Sequence, residues 1–125
     1  QALRKRADVV VVSMHWGVEY QAEPDERQRT LGRFLIDQGA HIVAGHHPHV
    51  QQEPDRYKNG LIIYSMGNFV FDQYTRPGTR VSRIYQVTVD RSGFVDARYM
   101  PFEIDLGSFM VVPAQGQESV WVPVK

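Results

Sequence analysis

The sequence predicts an α/β fold in which a mostly parallel βαβ unit leads into antiparallel strands. Three patterns predict it. Residues 7–13 hold the unbroken run Val9, Val10, Val11 and Val12, the pattern of a strand buried on both faces of a parallel sheet. A helical segment and a second short apolar strand, residues 41–44, follow it, so strand, helix and strand form a crossover unit within residues 7–44. After Gly45 the chain changes to short strands separated by turn residues, as antiparallel pairing requires.

Taken in order, Gln1, Ala2, Leu3, Arg4, Lys5 and Arg6 read as the last turns of a helix running straight into the first strand. The chain is therefore expected to be the C-terminal half of a larger domain. Pro24 and Asp25 open the next helix, where Asp25 and Gln28 have the spacing of a capping box and Gly39 suits the left-handed position just past the end. Leu31, Phe34 and Leu35 stand at i, i+3 and i+4 and are expected to form its buried stripe. Asn59-Gly60 marks a tight turn before a strand over residues 61–65. Strands over 81–90 and 94–104 flank Arg91-Ser92-Gly93 as an antiparallel hairpin, with Tyr85, Val87 and Val89 on one face. Three stretches follow: a βαβ unit with its edge loops over 1–75, the hairpin over 76–112, and an extended edge tail over 113–125.

Composition narrows the function. The 125 residues carry 14 Lys+Arg against 14 Asp+Glu and no clustered basic patch, which argues against a nucleic-acid partner held by phosphate neutralisation. With no Cys, disulfide scaffolds, thiolate catalysis and Cys-ligated zinc are excluded. The longest apolar run, residues 9–12, is far shorter than the ~20 residues that span a bilayer, so a membrane anchor would have to lie outside this chain.

The chemistry gathers at one sheet edge. His15 follows the first strand, and His47 and His49 follow the second in Gly45-His46-His47-Pro48-His49. Both loops leave a βαβ unit at its carboxyl edge, where ligands bind. Alternate residues of an extended segment project the same way, and Pro48 biases His47 toward extended backbone, so His47 and His49 are expected to converge with His15 on one ion. Neutral imidazoles suit Zn, Mn, Fe or Ni better than Ca or Mg. His41 reads as structural, and His46 is expected to point away from its neighbours, with a place beside the substrate as its functional alternative. Glu19 reads as an acceptor orienting His15, a substrate contact or a solvated loop carboxylate. Trp16 reads as a packing platform beside the site. Asn68 reads as a turn residue whose side chain binds backbone, with substrate contact as the alternative. Asp72 and Arg80 read as surface, and Phe69, Phe71, Tyr85 and Phe102 as core.

Three segments carry a resemblance. His15-Trp16-Gly17-Val18-Glu19-Tyr20, then Gly45-His46-His47-Pro48-His49-Val50, then Tyr64-Ser65-Met66-Gly67-Asn68-Phe69-Val70-Phe71-Asp72 resemble, in order and spacing, the C-terminal half of the capsule-synthesis CapA family, which is associated with bacterial poly-gamma-glutamate production. That family is itself similar to the calcineurin-like metallophosphoesterases, which hold two metals at the edge of an α/β/β/α sandwich. By this resemblance His15 matches the isolated late His ligand of the second metal. His47 matches the first His of the terminal Gly-His-x-His-type motif, with His46 in place of its Gly, and His49 matches its last, which ligates the first metal.

The superfamily's Asp-x-His, Gly-Asp and Gly-Asn-His-Asp/Glu blocks have no counterpart before His15. Two cations about 3.5 to 4 Å apart need a bridging anion, and three imidazoles carry no negative charge. The resemblance therefore implies a metal-dependent hydrolase with two divalent metals in the complete domain, but at most one, weakly held, and negligible hydrolysis in this chain alone. The alternative is a non-catalytic component that binds an anionic polymer or a partner. The implied partners are the missing N-terminal half, subunits of a capsule-synthesis complex, or a second copy through self-association or segment exchange. The implied location is the extracellular or cell-envelope face, anchored to the membrane by a segment outside this chain.

Overall fold

A computed structural model describes residues 2–73, 75–116 and 120–124. Its order is β1 (Val11–His15), α1 (Glu26–Asp37), β2 (Ile42–His46), β3 (Gln51–Gln52), β4 (Asp55–Tyr57), β5 (Gly60–Ile63), β6 (Ser65–Met66), β7 (Val81–Asp90), β8 (Gly93–Ile104), β9 (Val111–Pro113) and β10 (Val122–Pro123). Short 3-10 turns at Leu3–Lys5 and Pro77–Arg80 complete it. The fold is α/β, as the sequence predicts. None of the described helices is long and apolar enough to cross a membrane.

The main sheet has the order β1-β2-β5-β4, with β1, β2 and β5 parallel and β4 antiparallel. α1 covers one face through Ile36, which packs with Val10, Val43, Ile62 and Tyr64. The β7–β8 hairpin covers the other face, where Leu61 and Ile63 of β5 meet Ala97, with Tyr85, Val87, Phe94 and Tyr99 at the margin. Helix, mixed sheet and antiparallel sheet are thus stacked, and β5 is buried on both sides. β9 and β10 pair with β8, so the tail is an extended edge over its described part. Residues 117–119 and 125 lie outside the described residues.

α1 begins as its sequence requires. Gln28 N donates to Asp25 Oδ1 at 2.7 Å and Asp25 N to Gln28 Oε1 at 3.0 Å, closing the capping box. It ends in a Schellman motif, with Gly39 at φ 102° and N–H bonds from Gly39 to Ile36 O and from Ala40 to Leu35 O.

Several expectations are corrected. The strand at residues 7–13 is shorter and is not buried on both faces. β1 ends the sheet, Val10 and Val12 pack toward α1, and Val11 is 56% exposed on the uncovered face. The helix stripe is rotated: Gln28, Gly32 and Ile36 are buried, Leu31 and Leu35 flank them, and Phe34 is 54% exposed. The cause is the cap, which draws Gln28 inward, where its Nε2 donates to Gln52 Oε1 at 2.8 Å. The strand at 61–65 is broken at Tyr64, and its continuation β6 pairs instead with β3. The hairpin turn is Arg91-Ser92 alone, because Gly93 already pairs with Asp90, and a bulge shifts the register between Thr88 and Val89. Phe69 and Phe71 are exposed rather than core, whereas Tyr85 and Phe102 are half-buried.

Candidate functional site

The site is built where β1 and β2 end side by side, with His15 opposite His46 in register. Beyond β1, Trp16 N donates to His46 O at 3.1 Å, and its indole Nε1 donates to Tyr64 O at 2.8 Å. Gly45 makes that crossing possible, since a Cβ there would lie 2.0 Å from Tyr64 O and 2.5 Å from Trp16 Nε1. The chain then turns through Gly17 at φ 85° and Tyr20 at φ 65°. Tyr20 N donates to Pro48 O at 2.8 Å, which fastens this loop to the histidine turn. Trp16 is therefore a platform, half-buried and stacked on Tyr64 at 6.1 Å between centroids. Burial, with Asp55 nearby, pushes the Tyr64 phenol up to about 12, so it stays neutral beneath the site.

His47 and His49 are brought together, but not by strand alternation. Their φ values are 104° and 60°, so residues 47–49 form a tight turn around Pro48 rather than the extended segment expected. Such backbone costs ~1–3 kcal/mol per residue and persists only where surrounding structure enforces it. The His47 and His49 ring centroids are 6.1 Å apart, and the His15 ring lies 4.5 Å from that of His47.

Asn68 aims His49. Asn68 Nδ2 donates to Thr79 O at 3.1 Å and to Gln73 Oε1 at 3.3 Å, which leaves its Oδ1 to face His49 Nδ1 at 2.8 Å. An amide oxygen can only accept, so Nδ1 donates to it, and Nε2 is the ring nitrogen left to meet an ion. Gln73 Nε2 donates in turn to Tyr20 OH at 2.7 Å. The expected backbone bond of Asn68 is present, and the bond to His49 is additional. Sequence reasoning missed it, because nothing in the linear order of Asn68 and His49 signals their contact.

Glu19 also lands differently. Its carboxylate, half-exposed, sits with its Oε1 4.0 Å from His49 Nε2, and potential ligand atoms of Glu19, His47 and His49 all lie within 4.8 Å of one another. His15 stands outside that group. Donors of this kind, two imidazoles and a carboxylate, suit a divalent first-row ion. Beside them a cleft of about 420 Å³ is lined by His15, Trp16, Val18, Asp25, Arg27 and His47, and the guanidinium of Arg27, beside the capping carboxylate of Asp25, is a polar group that sequence reading missed.

The other candidates lie elsewhere. His46 is exposed and lines a separate groove with Phe69, Ile84 and Tyr85. His41 is buried, accepting from Val10 N at Nδ1 (3.0 Å), and burial with Arg4 nearby lowers its pKa. Asp72 is exposed and Arg80 half-buried. Phe71 places its ring 5.3 Å from that of His49.

Comparison with known proteins gives two results. The profile of a family described as "Bacterial capsule synthesis protein PGA_cap" matches residues 1–73. The chain is 43% identical over 123 residues to the PGA biosynthesis protein CapA of Bacillus subtilis (strain 168), covering 98% of this chain and 29% of that protein. It is 48% identical over 103 residues to the capsule biosynthesis protein CapA of Bacillus anthracis, covering 82% of this chain and 25% of that protein. The chain thus spans less than a third of either relative.

Proposed function

The chain belongs to the bacterial capsule synthesis family, and from that premise we propose that it supplies the histidine edge of a metal-dependent hydrolase site serving capsule or poly-gamma-glutamate biosynthesis. The observation that carries this reading is the convergence of Glu19, His47 and His49 beside a cleft whose wall includes Arg27. A divalent ion held there would supply Lewis acidity toward a phosphoryl or related oxygen and make water acidic enough to attack near neutral pH. His47 and His49 are the ligands this chain offers, with His15 placed to serve an adjacent second metal. Asn68 presents His49 Nε2, Trp16 walls the cleft, and Arg27 offers its guanidinium to an anionic substrate.

The remaining ligands of a two-metal centre would come from a longer protein that carries this segment. That protein would act at the cell envelope, with its anchor and any capsule-complex partners engaged through segments outside this chain. The test is phosphoester hydrolysis by a protein of full relative length that carries this segment. Turnover that is lost with a chelator, restored by Mn²⁺ or Zn²⁺, and abolished by His47→Ala supports the reading. Binding of poly-gamma-glutamate without any turnover would instead support a polymer-binding component.

A further inference from the structure

The reading above sets Glu19 beside His47 and His49 but counts only the two histidines as ligands, and the surroundings of Glu19 give it a role of its own. The loop that carries it is not free to wander. Gly17 turns the chain, Tyr20 N is bonded to Pro48 O, and the Tyr20 ring is covered by the Arg76 guanidinium at 4.4 Å and lies 6.2 Å from the His49 ring. Glu19 is therefore delivered over the turn that presents His47 and His49. The geometry adds a fourth reading to the three open from sequence, an acceptor orienting His15, a substrate contact or a solvated loop carboxylate. The carboxylate groups with His47 and His49 rather than with His15, and His49 turns toward it the ring nitrogen that Asn68 does not engage.

We infer that Glu19 is itself a metal ligand, and that Glu19, His47 and His49 form a three-ligand site for one divalent ion that this chain supplies by itself. The inference rests on the reading of His47 and His49 as ligands and extends it. Two imidazoles leave the full double charge of a divalent ion uncompensated, whereas one carboxylate halves it at bonding distance. A set of two His and one Glu is also a donor combination of catalytic zinc sites, which keep a fourth position open for water or substrate. The donor atoms, now within 4.8 Å of one another, must draw in to about 3.3 Å for tetrahedral bonds of ~2.0–2.1 Å. Glu19 has the freedom to make that move, because its side chain is 51% exposed.

Zn²⁺ titration of this chain by calorimetry, with Co²⁺ absorption spectra as a second readout, tests the assignment. The expected result is one ion per chain. Glu19→Gln preserves shape and polarity but removes the charge, and should weaken binding by at least about tenfold, the smaller effect of losing even an outer partner of a ligand. It should also change the Co²⁺ visible bands. His47→Ala should abolish binding, whereas His15→Ala should leave the single site in place. Abolition by His47→Ala with Glu19→Gln unchanged would overturn the Glu19 assignment and leave the histidine reading standing. No binding by the unaltered chain, or binding indifferent to His47→Ala, would overturn both.

Discussion

Replacing Asn68 with Ala separates how His49 is aimed from how the chain holds together. The side chain is 7% exposed and makes three hydrogen bonds, to His49 Nδ1, Thr79 O and Gln73 Oε1. Gln73 is half-exposed and can rehydrate, but Thr79 is fully buried, so its carbonyl would be stranded at a cost of about 1–3 kcal/mol. His49 would lose the acceptor that keeps its proton on Nδ1. Losing such a partner typically weakens metal affinity about 10- to 100-fold. Asn68→Asp divides the two effects. Its carboxylate still accepts from His49 Nδ1–H, as in the common carboxylate–histidine–metal arrangement, yet it cannot donate to Thr79 O. Urea denaturation and Zn²⁺ titration of both variants read the outcome. Both should lose stability, and only Asn68→Ala should lose affinity. Equal affinity losses in the two variants, or none in Asn68→Ala, would refute the orienting role.

Three further outcomes follow from the same coordinates. Gly45→Ala drives a Cβ to 2.0 Å from a backbone carbonyl, so thermal melting should show a loss at or above the upper end of the ~1–3 kcal/mol typical of overpacking, if the variant folds at all. His41 is held neutral, with its pKa lowered from 6.5 by burial, so below about 6.5 the unfolded chain binds the extra proton. Stability in urea should therefore be level above that pH and fall as pH drops below it, with a shallower fall in His41→Gln. β1 ends the sheet with Val9 38% and Val11 56% exposed; sedimentation velocity should show concentration-dependent association that Val11→Lys suppresses, since a charge on an edge strand opposes pairing.

Local chemistry explains what could be read without coordinates. The capping box of Asp25 and Gln28 and the left-handed Gly39 depend on residues close in sequence, the parallel pairing of β1 with β2 follows from the strand-helix-strand order, and each is present. That parallel pairing also brings His15 to the edge from which His47 and His49 depart. What was not legible depends on tertiary placement. Gln28, drawn inward by its cap, is held there by Gln52, which leaves Phe34 facing outward, and no periodicity count can anticipate that bond. The local bias of Pro48 toward an extended His47 yields to the Tyr20–Pro48 bond and the turn around it. That same bond carries Glu19 to His49 rather than leaving it beside His15. Residue type alone places Phe69 and Phe71 in the core, yet both lie exposed on the loop that delivers Asn68.

A crystal of this chain grown with Zn²⁺ and measured at the zinc absorption edge tests the metal assignment most directly. The expected result is an anomalous peak about 2.0–2.1 Å from ring nitrogens of both His47 and His49, with His49 bound through Nε2. A zinc peak elsewhere, or His47 and His49 rings turned apart with no ion between them, would contradict it.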